Sequence, residues 1–323
     1  MIAPWLAPAW ARLAQSLATG RVHHGLLFAA PSGYGKRALA DAFCAAALCL
    51  ARGTDGQACG GCRSCLLVAA GTHPDRVRIG LETRDDGKLR SEITVDQMRA
   101  LGQRLALSSQ FGGWQVALVD PADALNANAA NALLKTLEEP ASSTILLLVA
   151  DDASRLPATI RSRCQRVGIA LPSRAQSLEW LASHRLAPGE AAAALDAGLG
   201  NPGAALAWHA DGTLALRSDC ASDLAALAGG AGASGIAERW MQDRPVERLW
   251  FAAALARDEA RRLARGEPGA LGLTARDEIP KLAAWFGHAN RSRGLLATTV
   301  RGELVLLDLL RAWPRRGTVS GRA

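Results

Sequence analysis

Short apolar runs alternate with helical patterns through the first half of the chain. Residues 24–29, 114–119 and 144–150 are almost continuously apolar and too short for most helices, which is typical of strands buried on both faces of a sheet. A further strand is predicted at residues 76–79. Because helical segments separate these runs, the pattern predicts a parallel sheet covered by helices, an α/β fold.

Helices are predicted between these strands. One covers residues 37–50, and another covers 124–139, where Pro140 ends the helical pattern. Between them, Thr94 and Gln97 have the spacing of a capping box. The helix that they begin has one apolar face, formed by Val95, Met98, Leu101 and Leu105. The α/β part is predicted to end near residue 170.

After this point the pattern is helical. Segments 175–184 and 190–199 precede the turn sequence GNPG, which predicts a small helical domain. Amphipathic patterns at 245–265 and 291–313 follow a glycine-rich loop at 229–235 and predict a third, all-helical domain. The three predicted domains are residues 1–170, 171–212 and 213–323.

The composition fits folded, soluble domains and says little about partners. Hydrophobic residues make up 49% of the 323 residues and charged residues 21%, so apolar surface for cores is ample. The formal charge of +7 comes almost entirely from arginine, since only four residues are lysine. A moderate charge spread over the chain permits contact with nucleic acid without identifying it, because affinity depends on how charges cluster.

Neither a membrane span nor an export signal is predicted. The longest nearly uncharged apolar stretch, residues 42–51, is far too short for a bilayer core of about 30 Å. No basic leader precedes an apolar run at the amino terminus, so we expect a cytoplasmic protein without a membrane partner. In that reducing compartment the seven cysteines are expected to be thiols or metal ligands rather than disulfides.

A loop with the sequence APSGYGKR follows the first predicted strand and leads into a helix, as a phosphate-binding loop does. The Walker A pattern G-x-x-x-x-G-K-[ST] is matched at Gly35 and Lys36. However, Ala30 replaces its first glycine, and Arg37 replaces the hydroxyl that binds Mg²⁺. Two interpretations stay open: a glycine turn without a ligand, and residual nucleotide binding through Gly33, Gly35 and Lys36.

The apolar run that precedes Asp120 ends in a carboxylate, as does a Walker B strand, whose aspartate holds Mg²⁺ through water. A hydrolysing enzyme of this kind carries a glutamate at the next position, and this chain has Pro121 there. Proline offers no proton acceptor. Without that base and without the magnesium hydroxyl, hydrolysis of ATP by this chain is not expected.

Three cysteines lie at intervals of three residues in the sequence CGGCRSC: Cys59, Cys62 and Cys65. Zn²⁺ takes four tetrahedral thiolate or imidazole ligands, and the glycines let the chain fold around an ion. Cys49 is the natural fourth ligand, with Cys44 and His73 as substitutes. The prediction is a structural zinc site, which has no open position for a reactive water; unligated thiols are the alternative. Cys220 is predicted to be a buried apolar residue.

Arg161 and Arg163 follow the last predicted strand and a short helical stretch that begins near Leu156. From the residues alone they indicate a solvated basic turn, with Cys164 buried and one arginine paired with a carboxylate.

Several of these segments together resemble the clamp-loader branch of the AAA+ proteins. The resemblance rests on the loop before Lys36, the cysteine cluster and three further motifs: GTHPD at 71–75, NALLKTLEEP at 131–140 and SRC at 162–164. Within that branch, the degenerate loop and GNPG at 200–203 are similar to the delta-prime subunits of bacterial DNA polymerase III. The similarity runs from residue 5 to residue 203 and is weaker beyond.

The resemblance implies an AAA+ domain with a degenerate P-loop and an inserted zinc module at 1–170, a helical lid at 171–212 and a collar domain for oligomerisation at 213–323. It implies no hydrolysis of ATP by this subunit, and Gly203 stands where hydrolysing relatives carry a sensor arginine. The residual nucleotide site would consist of Gly33, Gly35, Lys36 and Asp120, and the zinc site of Cys49, Cys59, Cys62 and Cys65.

By the same resemblance, Arg163 projects into the ATP site of a neighbouring gamma/tau ATPase, where such an arginine is typically worth about 10³–10⁵ in rate. The subunit would then be a stator in a hetero-oligomer with gamma/tau and delta. That complex loads the sliding beta clamp onto primer-template DNA. The resemblance also implies that the subunit itself is a non-catalytic part of a DNA-directed DNA polymerase, a nucleotidyltransferase.

Two other functions are compatible with parts of the sequence. One is an active AAA+ ATPase whose loop tolerates Arg37, an interpretation that Pro121 and Gly203 oppose. The other is a zinc-containing DNA-binding module that uses the region around Arg63. Hydrolysis by the lone chain would favour the first function, and steeply salt-dependent DNA binding would favour the second.

Overall fold

The computed structural model describes residues 2–141, 143–273, 276–296, 298 and 300–315. Contacts divide the chain into two compact units, residues 1–183 with 201–203 and residues 184–200 with 204–323. The domain boundaries near residues 170 and 212 stay predictions. Residues 316–323 of the predicted last domain lie outside the described residues.

The first unit contains the strands β1 (Gly25–Ala29), β2 (Arg76–Ile79), β3 (Gln115–Val119), β4 (Thr144–Ala150) and β5 (Gln165–Val167). They form one sheet in the order β2-β3-β4-β1-β5, and every neighbouring pair is parallel. The α/β prediction is therefore confirmed. The sequence pattern does not predict β5, because this short edge strand exposes Gln165 and Arg166 and offers no apolar run.

Seven α-helices surround this sheet in the described part of the first unit: α1 (Ala7–Ala18), α2 (Lys36–Leu48), α3 (Arg63–Ala69), α4 (Val95–Leu105), α5 (Ala127–Glu138), α6 (Ala158–Arg163) and α7 (Arg174–Ser183). The capping box of α4 is confirmed, since Thr94 and Gln97 satisfy each other's backbone N–H groups. Helix α5 begins later than the pattern predicts, because the side chain of Asn126 accepts the N–H of Ala129 and caps it there.

Side chains alternate between two cores on the two faces of the sheet. Along β4, Ile145, Leu147 and Val149 face one core, and Leu146 and Leu148 face the other. The first core also holds apolar residues of α1 and α2, and the second holds those of α4 and α5. Both faces of the central strands are thus covered, which explains their continuous apolar runs.

Parallel pairing brings the carboxyl ends of β1, β3 and β4 to one edge of the sheet. The APSGYGKR loop follows β1, Asp120 follows β3 and Asp151 follows β4. These positions are where ligands of open α/β sheets bind. The fold therefore gathers the predicted nucleotide-site residues at this edge.

The second unit contains the helix α8 (Pro188–Ala197), most of α9 (Pro202–Ala210), and the helices α10 (Ala215–Ala228), α11 (Ala233–Gln242), α12 (Pro245–Ala264), α13 (Ile279–Leu295) and α14 (Gly302–Arg311). Its core contains Trp240, Phe251 and the fully buried Cys220. No helix among the described residues combines the length and the apolar character that crossing a bilayer requires.

The prediction of one amphipathic helix over residues 291–313 is wrong, because α13 ends at Leu295 and α14 begins at Gly302. The Thr298 hydroxyl donates to the Leu295 carbonyl oxygen at 2.6 Å and the Thr298 N–H donates to it at 2.9 Å, which closes a turn at the helix end. The apolar periodicity continues across this turn and hides it.

Candidate functional site

The APSGYGKR loop, residues 30–37, is called the phosphate loop below, and its backbone is that of an anion-binding turn. Gly33 and Gly35 have φ values of 89° and 85°, which residues with a Cβ rarely adopt. Gly35 caps α2, whose first residue is Lys36. The glycine turn that the sequence predicts is thus present at the amino end of a helix.

The two cations of this loop are bound to carboxylates of the same unit. Lys36 is only 1% exposed, and its Nζ bonds to Asp151 Oδ1. Arg37 donates from Nε to Asp120 Oδ1 at 2.9 Å, and from Nη1 and Nη2 to the Asp151 oxygens at 3.0 and 3.2 Å. Two positive groups of the loop and two carboxylates that follow β3 and β4 therefore neutralise one another.

The pKa values of this cluster follow from burial and ion pairing. Burial lowers the pKa of Lys36, although the Asp151 carboxylate opposes that change. Burial would raise the pKa of Asp151, but hydrogen bonds from Arg37 and Lys36 outweigh it and hold that pKa below its usual value. The cluster favours an ionised Asp151.

Asp120, the predicted Walker B carboxylate, is enclosed by arginines. Its side chain is 7% exposed, and Arg78 Nη2 approaches Asp120 Oδ2 at 3.4 Å in addition to the bonds from Arg37. Mg²⁺ prefers oxygen ligands in octahedral geometry, and guanidinium groups repel it. The structure therefore brings Asp120 and Lys36 to one edge while occupying the oxygen atoms that a metal would use.

Residues 201–203 of the GNPG segment belong to the first unit and contact the phosphate loop. Asn201 Nδ2 donates to the Ser32 carbonyl oxygen at 2.7 Å, and the Gly203 N–H donates to the Gly33 carbonyl oxygen at 3.1 Å. A Cβ on Gly33 would lie 2.2 Å from Asn201 Oδ1. A Cβ on Gly203 would lie 2.3 Å from the Gly33 oxygen, so the present backbone admits no side chain, and hence no arginine, at Gly203.

Arg163 lies at the carboxyl end of α6 and is paired with a residue of the NALLKTLEEP helix. Its Nη2 is 2.7 Å from Glu138 Oε1, and its Nη1 donates to the Thr159 carbonyl oxygen at 3.1 Å. The side chains of Arg163 and Glu138 are 40% and 49% exposed. This guanidinium is therefore held by a carboxylate but accessible from solvent.

The predicted zinc ligands are brought together. The Sγ atoms of Cys49, Cys59, Cys62 and Cys65 all lie within 4.8 Å of one another, and the pairs Cys49–Cys62 and Cys59–Cys65 are each 3.9 Å apart. A tetrahedral ion about 2.3 Å from each sulfur requires S···S distances of about 3.8 Å, so the four thiols fit a metal ion of this kind.

The surroundings favour the thiolate form that a metal requires at Cys62 but not at Cys65. Backbone N–H groups of Ala51 and Cys59 donate to Cys49 Sγ, at 3.4 and 3.3 Å. Backbone N–H groups of Cys65 and Leu50 lower the pKa of Cys62 to about 6. Burial raises the pKa of Cys65 to about 12, so this thiol is expected to release its proton when a metal binds.

The two substitute ligands lie elsewhere. Cys44 is fully buried in α2, and burial raises its pKa to about 12. His73 Nε2 is 2.9 Å from the Ser64 hydroxyl. The cluster that could hold a metal among the described residues therefore consists of cysteines alone.

Sequence reasoning missed Asp151 and Glu138 as partners of the two basic groups. For Asp151 a signal was available, because a carboxylate that follows an apolar strand of a parallel sheet lies at the same edge as the loop after the neighbouring strand. For Glu138 the NALLKTLEEP sequence offers two adjacent glutamates and no criterion to choose between them.

Comparison with known proteins identifies the family. A family model described as DNA polymerase III, delta subunit, matches residues 6–172. The delta-prime subunit of Escherichia coli K12 is 34% identical over 318 residues, covering 95% of this chain and 93% of that protein. The chain belongs to the delta-prime family of DNA polymerase III subunits. The delta-prime subunit of Pseudomonas aeruginosa is 43% identical over 223 residues, covering 67% of this chain and 64% of that protein.

A solved structure with low sequence similarity also aligns with this delta-prime family member. The gamma subunit-related protein of Thermotoga maritima has a TM-score of 0.43 and 16% identity, covering 94% of this chain and 99% of that one. The alignment to the Pseudomonas relative spans less than two thirds of that protein.

Proposed function

We propose that this chain is a clamp-loader subunit in DNA replication that does not hydrolyse ATP. Membership in the delta-prime family supports the clamp-loader role. The observation that carries the absence of hydrolysis is the ion-pair cluster of the phosphate loop, in which Lys36 and Arg37 are neutralised by Asp120 and Asp151.

A triphosphate in this loop would have to replace the Asp151 carboxylate as the partner of Lys36. Because Asp151 is attached to the sheet edge, its carboxylate would remain beside the phosphates as a like charge. Arg37 also stands where a hydroxyl would bind Mg²⁺, and Pro121 offers no proton acceptor. The same groups that fill the site thus oppose both binding and hydrolysis.

The proposed role in catalysis is exercised on a neighbouring subunit. Arg163 is exposed enough to be reached by a partner, and its planar guanidinium carries a delocalised charge. A guanidinium supplied in trans matches the charge that develops on a transferring γ-phosphoryl group. We therefore assign Arg163 to the ATP site of an adjacent gamma/tau subunit, with this chain as stator.

The proposed partners follow from the family. They are gamma/tau and delta in a hetero-oligomer, and through that complex the sliding beta clamp and primer-template DNA. The helical lid at 171–212 and the collar at 213–323 are proposed to build this assembly in the cytoplasm.

The ion at the cysteine cluster is proposed to be zinc. Four thiolates at tetrahedral distances are the donor set that structural Zn²⁺ prefers, and bound zinc supplies a staple for the loop between α2 and α3 rather than a reactive centre. Cys49, Cys59, Cys62 and Cys65 would hold the ion, with backbone N–H groups donating to Cys49 and Cys62.

The trans-acting arginine is tested by the DNA- and clamp-stimulated ATPase activity of the reconstituted loader. We expect Arg163→Ala in this chain to lower turnover at the adjacent site by about 10³-fold or more, so that the activity of the whole complex falls by roughly that site's share. Arg161→Ala is the matched control, because this arginine is exposed on the same helix turn. If the loader that contains Arg163→Ala hydrolyses ATP as fast as the wild-type loader, the assignment of Arg163 is contradicted.

A further inference from the structure

The GTHPD segment at 71–75 has no part in the function proposed above. It lies between α3 and β2, and its His73 and Asp75 are each only 3% exposed. A histidine and an aspartate are rarely buried without a partner, because burial of an unpaired polar group costs free energy. Their partners therefore indicate what the segment does.

Hydrogen bonds fix the tautomer of His73. The Asp75 backbone N–H donates to His73 Nδ1 at 3.1 Å, so Nδ1 is an acceptor and the proton of the neutral ring is on Nε2. Burial lowers the pKa of His73, which favours this neutral form. Nε2–H then donates to the Ser64 hydroxyl oxygen at 2.9 Å. The Ser64 hydroxyl in turn donates to the Leu48 carbonyl oxygen at 2.6 Å.

This chain of hydrogen bonds reaches two of the four cysteines through the backbone. Leu48 is the last residue of α2 and immediately precedes Cys49. Ser64 is fully buried, lies in the first turn of α3 and immediately precedes Cys65. The Ser64 hydroxyl therefore links the two helices that present Cys49 and Cys65, and the imidazole holds that hydroxyl in place.

The imidazole is itself fixed by the sheet and by a loop. Asp75 precedes β2, and its carboxylate accepts hydrogen bonds from the Ser109 hydroxyl and from the N–H groups of Gln110 and Phe111, at 2.8 to 2.9 Å. The ring of Phe111 lies against the ring of His73, with 4.8 Å between their centroids. The position of the histidine is thus set by contacts outside the cysteine cluster.

We infer that His73 is a positioning residue for the metal site, which sets the distance between Cys49 and Cys65 through Ser64 and Leu48. The inference rests on the proposed metal site and adds to it a residue that is not a ligand. Groups that orient metal ligands typically contribute about 10- to 100-fold to metal affinity. In their absence the two helix ends would have to be ordered by the ion itself.

Four single variants of the full chain and the double variant His73→Phe/Ser64→Ala test this role. His73→Phe keeps a flat ring and removes the Nε2 donor, whereas His73→Gln keeps an N–H donor on a side chain of similar reach. Ser64→Ala breaks the same hydrogen-bond chain with a smaller change. Gln115→Met is the control, because Gln115 is also buried and donates to a backbone carbonyl oxygen, that of Leu107, at 2.7 Å.

Zinc content, the zinc dissociation constant and the rate of zinc release to a chromophoric chelator are measured for each variant at a temperature well below unfolding. We expect one zinc per wild-type chain, and binding weakened at least about tenfold by His73→Phe and by Ser64→Ala. We expect His73→Gln to restore most of the loss and Gln115→Met to bind zinc as the wild type does. The double variant His73→Phe/Ser64→Ala should bind zinc no more weakly than the weaker of its two single variants, because both substitutions interrupt the same chain of hydrogen bonds.

The spectrum of the cobalt-substituted protein provides the second readout. Four-thiolate tetrahedral bands should be retained in His73→Phe, since the ligands themselves are unchanged. Zinc affinity and release equal to the wild type in both His73→Phe and Ser64→Ala would overturn the positioning role and leave the metal site intact. A wild-type chain that holds no zinc would instead overturn the metal site itself, and the role of His73 with it.

Discussion

The side chains of the phosphate loop decide its chemistry more than its backbone does. Gly33 and Gly35 retain the left-handed conformations of an anion-binding turn. The cations that would meet an anion are bound to Asp120 and Asp151 instead. The Asp151 carboxylate thus neutralises the positive charges that a bound phosphate would otherwise neutralise.

Asp151→Asn should destabilise the first unit, because it leaves the buried Lys36 without its charged partner. An exposed pair contributes about 0–1 kcal/mol and loss of a buried partner costs about 3–5 kcal/mol. Since Asp151 is 40% exposed, we expect a loss of about 1–2 kcal/mol in the free energy of unfolding, measured by urea denaturation at pH 7. Asp96→Asn, which breaks an exposed pair with Arg99, should change it by less than about 0.5 kcal/mol. If the two variants change the free energy of unfolding equally, the ion-pair cluster does not stabilise the first unit as described.

The same pair predicts a dependence on pH. The pKa of Asp151 is lowered in the folded chain, so its contribution to stability is present above the ordinary aspartate value of about 3.9 and is lost as pH falls through the folded pKa. The difference in unfolding free energy between wild type and Asp151→Asn should therefore be constant near neutral pH and shrink below about pH 4. Denaturation curves from pH 7 to pH 3 measure it. A difference that grows with acid would contradict the assigned sign.

At the scale of elements, the contact of GNPG with the phosphate loop requires glycine at 203. Gly203→Ala should cost about 1–3 kcal/mol, because the added Cβ would lie 2.3 Å from the Gly33 oxygen and the backbone would have to move. Gly189→Ala is the control, since a Cβ at Gly189 would meet nothing within 4 Å. Thermal unfolding of both variants measures the difference. If Gly203→Ala unfolds at the temperature of the wild type, the two segments are not in the contact described.

How far the sequence predicts these elements depends on whether one pattern dominates locally. The continuous apolar runs of β1, β3 and β4 are predicted correctly, because strands covered on both faces admit few polar residues. The edge strand β5 is not predicted, because it depends on pairing with a neighbouring strand. The turn between α13 and α14 is not predicted either, because a single threonine hydroxyl closes it. The role of Asp151 is not predicted for a similar reason: its partners Arg37 and Lys36 are 114 and 115 positions away in the chain.

The candidate site divides in the same way. Spacing alone predicts the cysteine cluster, because its four members lie in one short segment that runs from the residue after α2 to the first turn of α3. The ion pairs of Lys36 and Arg163 connect separate elements. The parallel sheet gives a reason to expect Asp151 near Lys36, whereas nothing in the sequence chooses Glu138 over its neighbour as the partner of Arg163.

At the scale of the whole molecule, the chain combines a filled phosphate loop with an accessible arginine on another element of the same unit. The first feature opposes a reaction within the chain, and the second suits a reaction at a neighbour. Membership in the delta-prime family supports an assembly in which such a neighbour exists. The proposed stator role unites these observations.

The most direct test of this account is ATP binding and hydrolysis by the purified chain with Mg²⁺, in the wild type and in Lys36→Ala. We predict no turnover above the buffer blank and no binding that depends on Lys36, because Asp151 already neutralises that ammonium group. If the wild-type chain hydrolyses ATP and Lys36→Ala abolishes that activity, the proposed absence of hydrolysis is contradicted.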